Sequence, residues 1–137
     1  MEIQDIDIWL EIFFMKGEDE PSLPAFFFVR DKGRFWKITN AEVLFIEAQK
    51  SYCRIQTLEK SWLILTQLGN FEAVLPEHEF LRIHRSYMIG LRHLQSFDHR
   101  TVYLPGYELP IGESYRLAVR DRMLIIQPPG PSVVIAD

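Results

Sequence analysis

Between residues 26 and 111 the apolar side chains are gathered mostly in segments of four to six residues, each closed by polar or turn-forming residues. Runs this short suit strands better than packed helices. Residues 26–30 and 35–39 flank Asp31-Lys32-Gly33-Arg34 and predict a hairpin. Residues 52–57 and 61–66 predict a second, around Leu58-Glu59-Lys60. Residues 44–48, 80–84, 87–91, 101–104 and 107–111 read as further strands, and Pro105-Gly106 suits a type II turn. Asn40 is placed to cap one turn through Ala41-Glu42-Val43. Residues 69–75 predict a short helix ended by Pro76. Residues 113–126 predict a C-terminal helix, with Tyr115, Ala118, Val119, Met123 and Ile126 on one face. The expected fold is mainly β: short antiparallel sheets with small helices.

The two ends differ in composition from this body. Residues 1–25 hold seven acids and one base, whereas residues 26–126 hold 14 bases and 11 acids. A mildly basic body is therefore masked by an acidic arm in the net charge of −4. Ile6, Ile8, Leu10 and Ile12 alternate with Asp5, Asp7 and Glu11, which suits an edge strand; Trp9 breaks the pattern, and a helix over 2–15 is the alternative. Residues 17–24 read as an acidic linker, and residues 127–137 as a Pro-rich tail. Phe26, Phe27 and Phe28 cannot all face one side of a strand. Either both faces are covered or one awaits a partner, and the arm is a candidate cover, in cis or from a second subunit.

Several function classes are excluded. No segment approaches the ~20 apolar residues of a membrane helix, and residues 8–15 lack the basic start and cleavage site of a signal peptide. The lone Cys53 rules out an intrachain disulfide framework, reads as a strand thiol, and fits the cytoplasm. His78, His84, His93 and His99 are spaced by six, nine and six residues, which matches no metal-ligand pattern. No nucleophile elbow, Walker loop or dinucleotide fingerprint is present, so neither an enzyme nor a cofactor is expected.

The chemistry concentrates in His84-Arg85-Ser86-Tyr87, where one strand gives way to the next. Arg85 and Ser86 suit phosphate or base-edge contacts; the bland alternative for Arg85 is a salt bridge to Glu47 or Glu113. His84 is expected to be half-buried and to set the loop. With Ile38-Thr39-Asn40-Ala41-Glu42-Val43-Leu44-Phe45-Ile46-Glu47-Ala48, Leu68, Leu75 and Leu109-Pro110-Ile111 in order around it, this run resembles the LytTR DNA-binding domain of bacterial transcription regulators. The resemblance covers residues 26–126. It implies that loops, not a recognition helix, enter the grooves of double-stranded DNA. Carried onto this chain, those loops hold Gln49, Lys50 and Ser51; Arg85 and Ser86; and Ser114 with Arg116.

The family's habits imply a homodimer on direct repeats. The chain is too short for the receiver domain of a response regulator, so regulation would come from a partner protein, the arm or a separate signal, unless the sequence is a fragment. Two positions depart from the family pattern: Gly90 stands where Asn is common, and Glu113 where Arg is common. Glu113 favours the helix dipole but repels phosphate. Weakened or altered DNA binding is expected, with Lys50, Arg85, Arg116 and Arg92 remaining. The alternative is an interaction module that kept the fold and lost much of its DNA affinity, with the arm lying over the basic loops.

Overall fold

The computed structural model describes residues 24–127; the arm, except its last two residues, and nearly all of the tail lie outside them. The short runs form short strands. β1 (Phe26–Asp31) and β2 (Arg34–Thr39) make a separate two-stranded ribbon. Its turn places Lys32 at φ 54° and Gly33 at φ 78°, the two consecutive left-handed residues of a type I′ hairpin turn. β3 (Val43–Gln49), β4 (Tyr52–Thr57), β5 (Ser61–Leu65), β6 (Phe80–His84) and β7 (Tyr87–Gly90) form an antiparallel sheet in the order β5-β4-β3-β7-β6. Helix α1 (Leu68–Val74) links β5 to β6. β8 (Ser96–Phe97), β9 (Thr101–Leu104) and β10 (Tyr107–Pro110) form a third sheet, followed by helix α2 (Arg116–Arg122). The protein is mainly β, as its patterning predicts.

The central sheet is covered on both faces. Ile46, Cys53, Ile55, Phe80 and Met88 join Ile38 of the ribbon and Phe71 of α1 in one core. Phe45, Leu81, Ile83 and Ile89 join Val102, Leu109 and Val119 in the other. Central β3 is hydrogen-bonded to β4 and to β7, and Val43, Leu44, Phe45 and Ile46 are all buried. Strand alternation sends successive side chains to opposite faces, so a continuous apolar run is what a strand sandwiched on both sides demands.

The first ribbon answers the phenylalanine question. Phe27 turns inward and packs edge-on against Phe71 at 6.4 Å, while Phe26 and Phe28 face outward.

Three local expectations are corrected. Thr39, not Asn40, caps the single turn: Glu42 Oε2 accepts from Thr39 N–H at 2.7 Å, completing a capping box. Asn40 is buried instead, donating from Nδ2 to the Pro24 carbonyl at 2.9 Å. The C-terminal helix is shorter than 113–126. Glu113–Tyr115 is a 3-10 turn, α2 ends at Arg122, and Met123 is extended. Ile126 is 90% exposed rather than on a buried face. Two β-branched residues close to Pro128 disfavour a further helical turn. The two-residue strand β8 had no signal of its own.

Candidate nucleic-acid interface

Three turns meet at one end of the central sheet. The β3–β4 turn carries Lys50 and Ser51, closed by the Gln49–Tyr52 pair. The β6–β7 turn carries Arg85 and Ser86. The third, Gly112 to Tyr115, enters α2. Antiparallel pairing of β3 with β7 sets the first two turns side by side, about 10 Å apart, two inter-strand spacings. Ala48 N–H donates to the Ser86 carbonyl at 2.8 Å and joins them directly. Gly112 N–H donates to the Ile83 carbonyl at 2.8 Å and ties the third turn to the outer side of the second.

Lys50, Ser51, Arg85, Glu113 and Ser114 are exposed, and Ser86 is half-buried. Lys50 holds φ 53°, left-handed backbone that a non-glycine residue adopts only when its surroundings require it. Among the described residues, neither Lys50 nor Arg85 has an ion-pair partner. The salt bridges suggested for Arg85 therefore do not form: Glu47 pairs with Arg54 at 2.8 Å and accepts from Tyr87 Oη at 3.3 Å. Gln49 Nε2 also donates to Glu47, at 3.2 Å, so this carboxylate anchors side chains beneath both neighbouring turns. Burial first, then the Glu47 charge, pushes the Tyr87 phenol above its usual range and keeps it a neutral donor.

Arg82 is the residue that sequence reasoning missed. Its Nε donates to the His84 carbonyl at 2.8 Å and one terminal nitrogen to the Arg85 carbonyl at 2.6 Å. The other reaches Glu72 of α1 at 2.7 Å. One planar fork thus ties the carbonyls on either side of the Arg85 residue to a helix. The available signal was an arginine three residues before Arg85 on a strand whose end must turn sharply; its partners required the fold.

His84 sets the loop, as expected: its Nδ1 accepts from Ser86 N–H at 3.0 Å. Burial, then the Arg85 and Arg82 charges, lower its pKa, which preserves that acceptor lone pair. Cys53 is a core thiol, with burial pushing its pKa up. No metal-holding cluster occurs among the described residues, nor any helix long and apolar enough to cross a membrane.

Two proposed contacts and one departure from the family pattern need separate placement. Arg116 lines a cavity of about 390 Å³ with Asp98, His99 and Arg120, and its buried Nε has no partner. Its backbone closes the third turn, with its N–H donating to the Glu113 carbonyl, while its side chain lines the cavity. Arg92 lies 3.7 Å from Glu79, close to the start of β6 and away from its turn. Gly90 ends β7, also remote from the turns, where an added Cβ would collide with the Val43 carbonyl oxygen. Backbone packing explains this glycine.

Residues 33–123 match the LytTr DNA-binding domain. The chain belongs to the LytTR family. Its fold is that of the LytTr DNA-binding domain of a methyl-accepting/DNA response regulator from Bacillus cereus, with a TM-score of 0.62, 22% identity, and coverage of 72% of this chain and 96% of that one. The CO-responsive transcriptional regulator RcoM of Rhodospirillum rubrum is 33% identical over 63 residues, 46% of this chain and 27% of that protein. The transcriptional regulatory protein NatR of Bacillus subtilis is 25% identical over 88 residues, 64% of this chain and 38% of that protein. The LytTR chain described here thus spans well under half the length of either relative.

Proposed function

We propose that this LytTR protein regulates transcription by binding double-stranded DNA through the row of turns at the end of its central sheet. The observation that supports the reading is the pairing of two cations, Lys50 and Arg85, on adjacent turns braced from below, neither with an ion-pair partner among the described residues. Lys50 serves as a phosphate contact and Arg85 as a base-edge or phosphate contact. Gln49, Ser51, Ser86 and Ser114 supply hydrogen bonds at the same edge. Arg116 is a contact only if its side chain leaves the cavity it lines. The functional unit is residues 26–126, acting in the cytoplasm as a homodimer on repeated sites, with a regulatory protein partner supplying the input.

Selection from a random duplex library, followed by titration of the winners at several salt concentrations, tests this reading. Enrichment of a repeated motif, with affinity falling as salt rises, is the expected result. Failure to enrich any motif sinks it. The second reading is a protein-interaction module with little DNA affinity. Glu113 favours it, because an exposed carboxylate in the third turn opposes phosphate. Deleting residues 1–20 separates an intrinsically weak interface from one covered by the arm: only a covered interface gains affinity.

A further inference from the structure

The outward face of the β1–β2 ribbon is aromatic and basic. Phe26 is 41% exposed, Phe28 54% and Phe35 69%. Phe26 and Phe28 meet edge to face at 5.9 Å. Lys37 Nζ lies over the Phe26 ring at 4.4 Å, and the Arg30 guanidinium lies 5.8 Å from the Phe35 ring centre. Beside this face a groove of about 260 Å³ runs between β1, β5 and α1, lined by Phe27, Phe28, Ile64, Phe71 and Val74. Three exposed rings beside an apolar groove are more than singly scattered surface hydrophobics.

We propose that this face is the docking surface for the chain's own residues 1–15. Position favours that occupant. The arm joins the described domain at Pro24 and Ala25, whose carbonyls both accept from Asn40, at 2.9 and 2.8 Å. Phe26 follows at once, so the arm emerges at the margin of the aromatic face. It emerges far from the row of turns, because β3 runs from the Asn40 end of the sheet to Lys50, a rise of about 20 Å. Residues 16–23 give enough chain to turn back over the ribbon, at up to ~3.3 Å per residue.

Chemistry favours it as well. Residues 1–15 combine Ile3, Ile6, Ile8, Trp9, Leu10 and Ile12 with Glu2, Asp5, Asp7 and Glu11, and contain no base. The ribbon carries Arg30, Lys32, Arg34 and Lys37 against the single acid Asp31. Aliphatic side chains of the arm cover the rings and groove while its acids meet Arg30 and Lys37. The arm then acts as an integral cover for the ribbon and leaves Lys50 and Arg85 open.

The test is a nitroxide label on the full chain carrying Gln4→Cys; Cys53 is buried and stays unmodified. Amide signals are compared with the label oxidised and reduced. Signals of Phe28, Arg30, Phe35 and Lys37 should weaken, while those of Lys50 and Arg85 keep their intensity. A label at Asp7→Cys should give the same pattern, and Arg30→Glu with Lys37→Glu should restore the lost signals. The loss should survive dilution of the labelled chain into excess unlabelled, isotope-free chain. Loss that fades on dilution would assign the arm to a second copy. Loss at Lys50 and Arg85 would make it a cover for the turns. Either result, no loss at all, or persistence of the loss in the charge-reversed variant overturns the proposal.

Discussion

Arg82→Lys keeps the charge and removes the fork. The guanidinium spans the His84 carbonyl, the Arg85 carbonyl and Glu72 at 2.8, 2.6 and 2.7 Å. A lysine ammonium is a compact donor that cannot span all three. Suppose it keeps one carbonyl. Loss of the other charge-assisted bond costs about 1.5–3 kcal/mol. The Glu72 pair contributes under about 1 kcal/mol, because that carboxylate is half exposed. Unfolding in urea should therefore show a loss of roughly 1.5–4 kcal/mol.

The effect on DNA binding is separable from the effect on stability. A turn no longer clamped must be ordered on binding, and fixing one backbone residue costs about 1–2 kcal/mol. Affinity for a selected duplex should fall about tenfold. The salt slope should stay the same, because the charge is retained and Arg82 is not assigned a phosphate. Lower stability with unchanged affinity would refute the brace. A slope reduced by about 0.9 would show that Arg82 itself touches a phosphate.

Other expectations concern the turns themselves. Arg85→Ala should cost about 1–3 kcal/mol on a selected site if the guanidinium reads a base edge, and proportionately less on random duplex. Glu113→Arg should tighten binding and steepen the salt slope by about 0.9, measured by titration across salt concentrations. His84 has a depressed pKa in the folded chain, so the unfolded state binds more protons as pH falls. Its contribution to stability is complete above the ordinary imidazole pKa of about 6.5 and is lost as pH drops from there toward the folded value. Urea midpoints should therefore decline more steeply below that pH in the natural chain than in His84→Asn.

Much of the fold was legible because its elements are local. The 26–39 ribbon, the Tyr52–Leu65 hairpin and the short helix before Pro76 each declare themselves through alternation and turn residues. What failed depended on distant partners. Asn40 looks like a cap in isolation, but it is buried against Pro24 and Glu79, and Thr39 takes the cap. The face through Ile126 fits a helix on paper, but among the described residues Ile126 is left 90% exposed. At the candidate site, Lys50 and Ser114 were proposed by register with a family, and Arg85 also by the chemistry of its own motif. Which of them stand together depends on strand order. Arg116 looked equivalent to them by position in the chain, but its side chain lines a cavity with Asp98, His99 and Arg120. Gly90 looked like a missing contact because a sequence does not show that a neighbouring carbonyl occupies the space.

β3 also works as a level. The β3–β4 turn is its own continuation, and the β6–β7 turn is held at matching height by the Ala48 to Ser86 bond and the Glu47–Tyr87 register. A slip of one residue would raise one tip above the other by about 3.3 Å, more than any hydrogen bond can absorb, so the two tips could no longer rest on one flat partner. The slip would also turn every β3 side chain to the opposite face. Val43 and Ile46 are fixed in one core and Leu44 and Phe45 in the other, and the two cores are built of different side chains, which resists that exchange. Four side chains that never meet a ligand thus keep two fingertips even, and a core substitution that loosens β3 would blunt recognition without altering any residue at the surface.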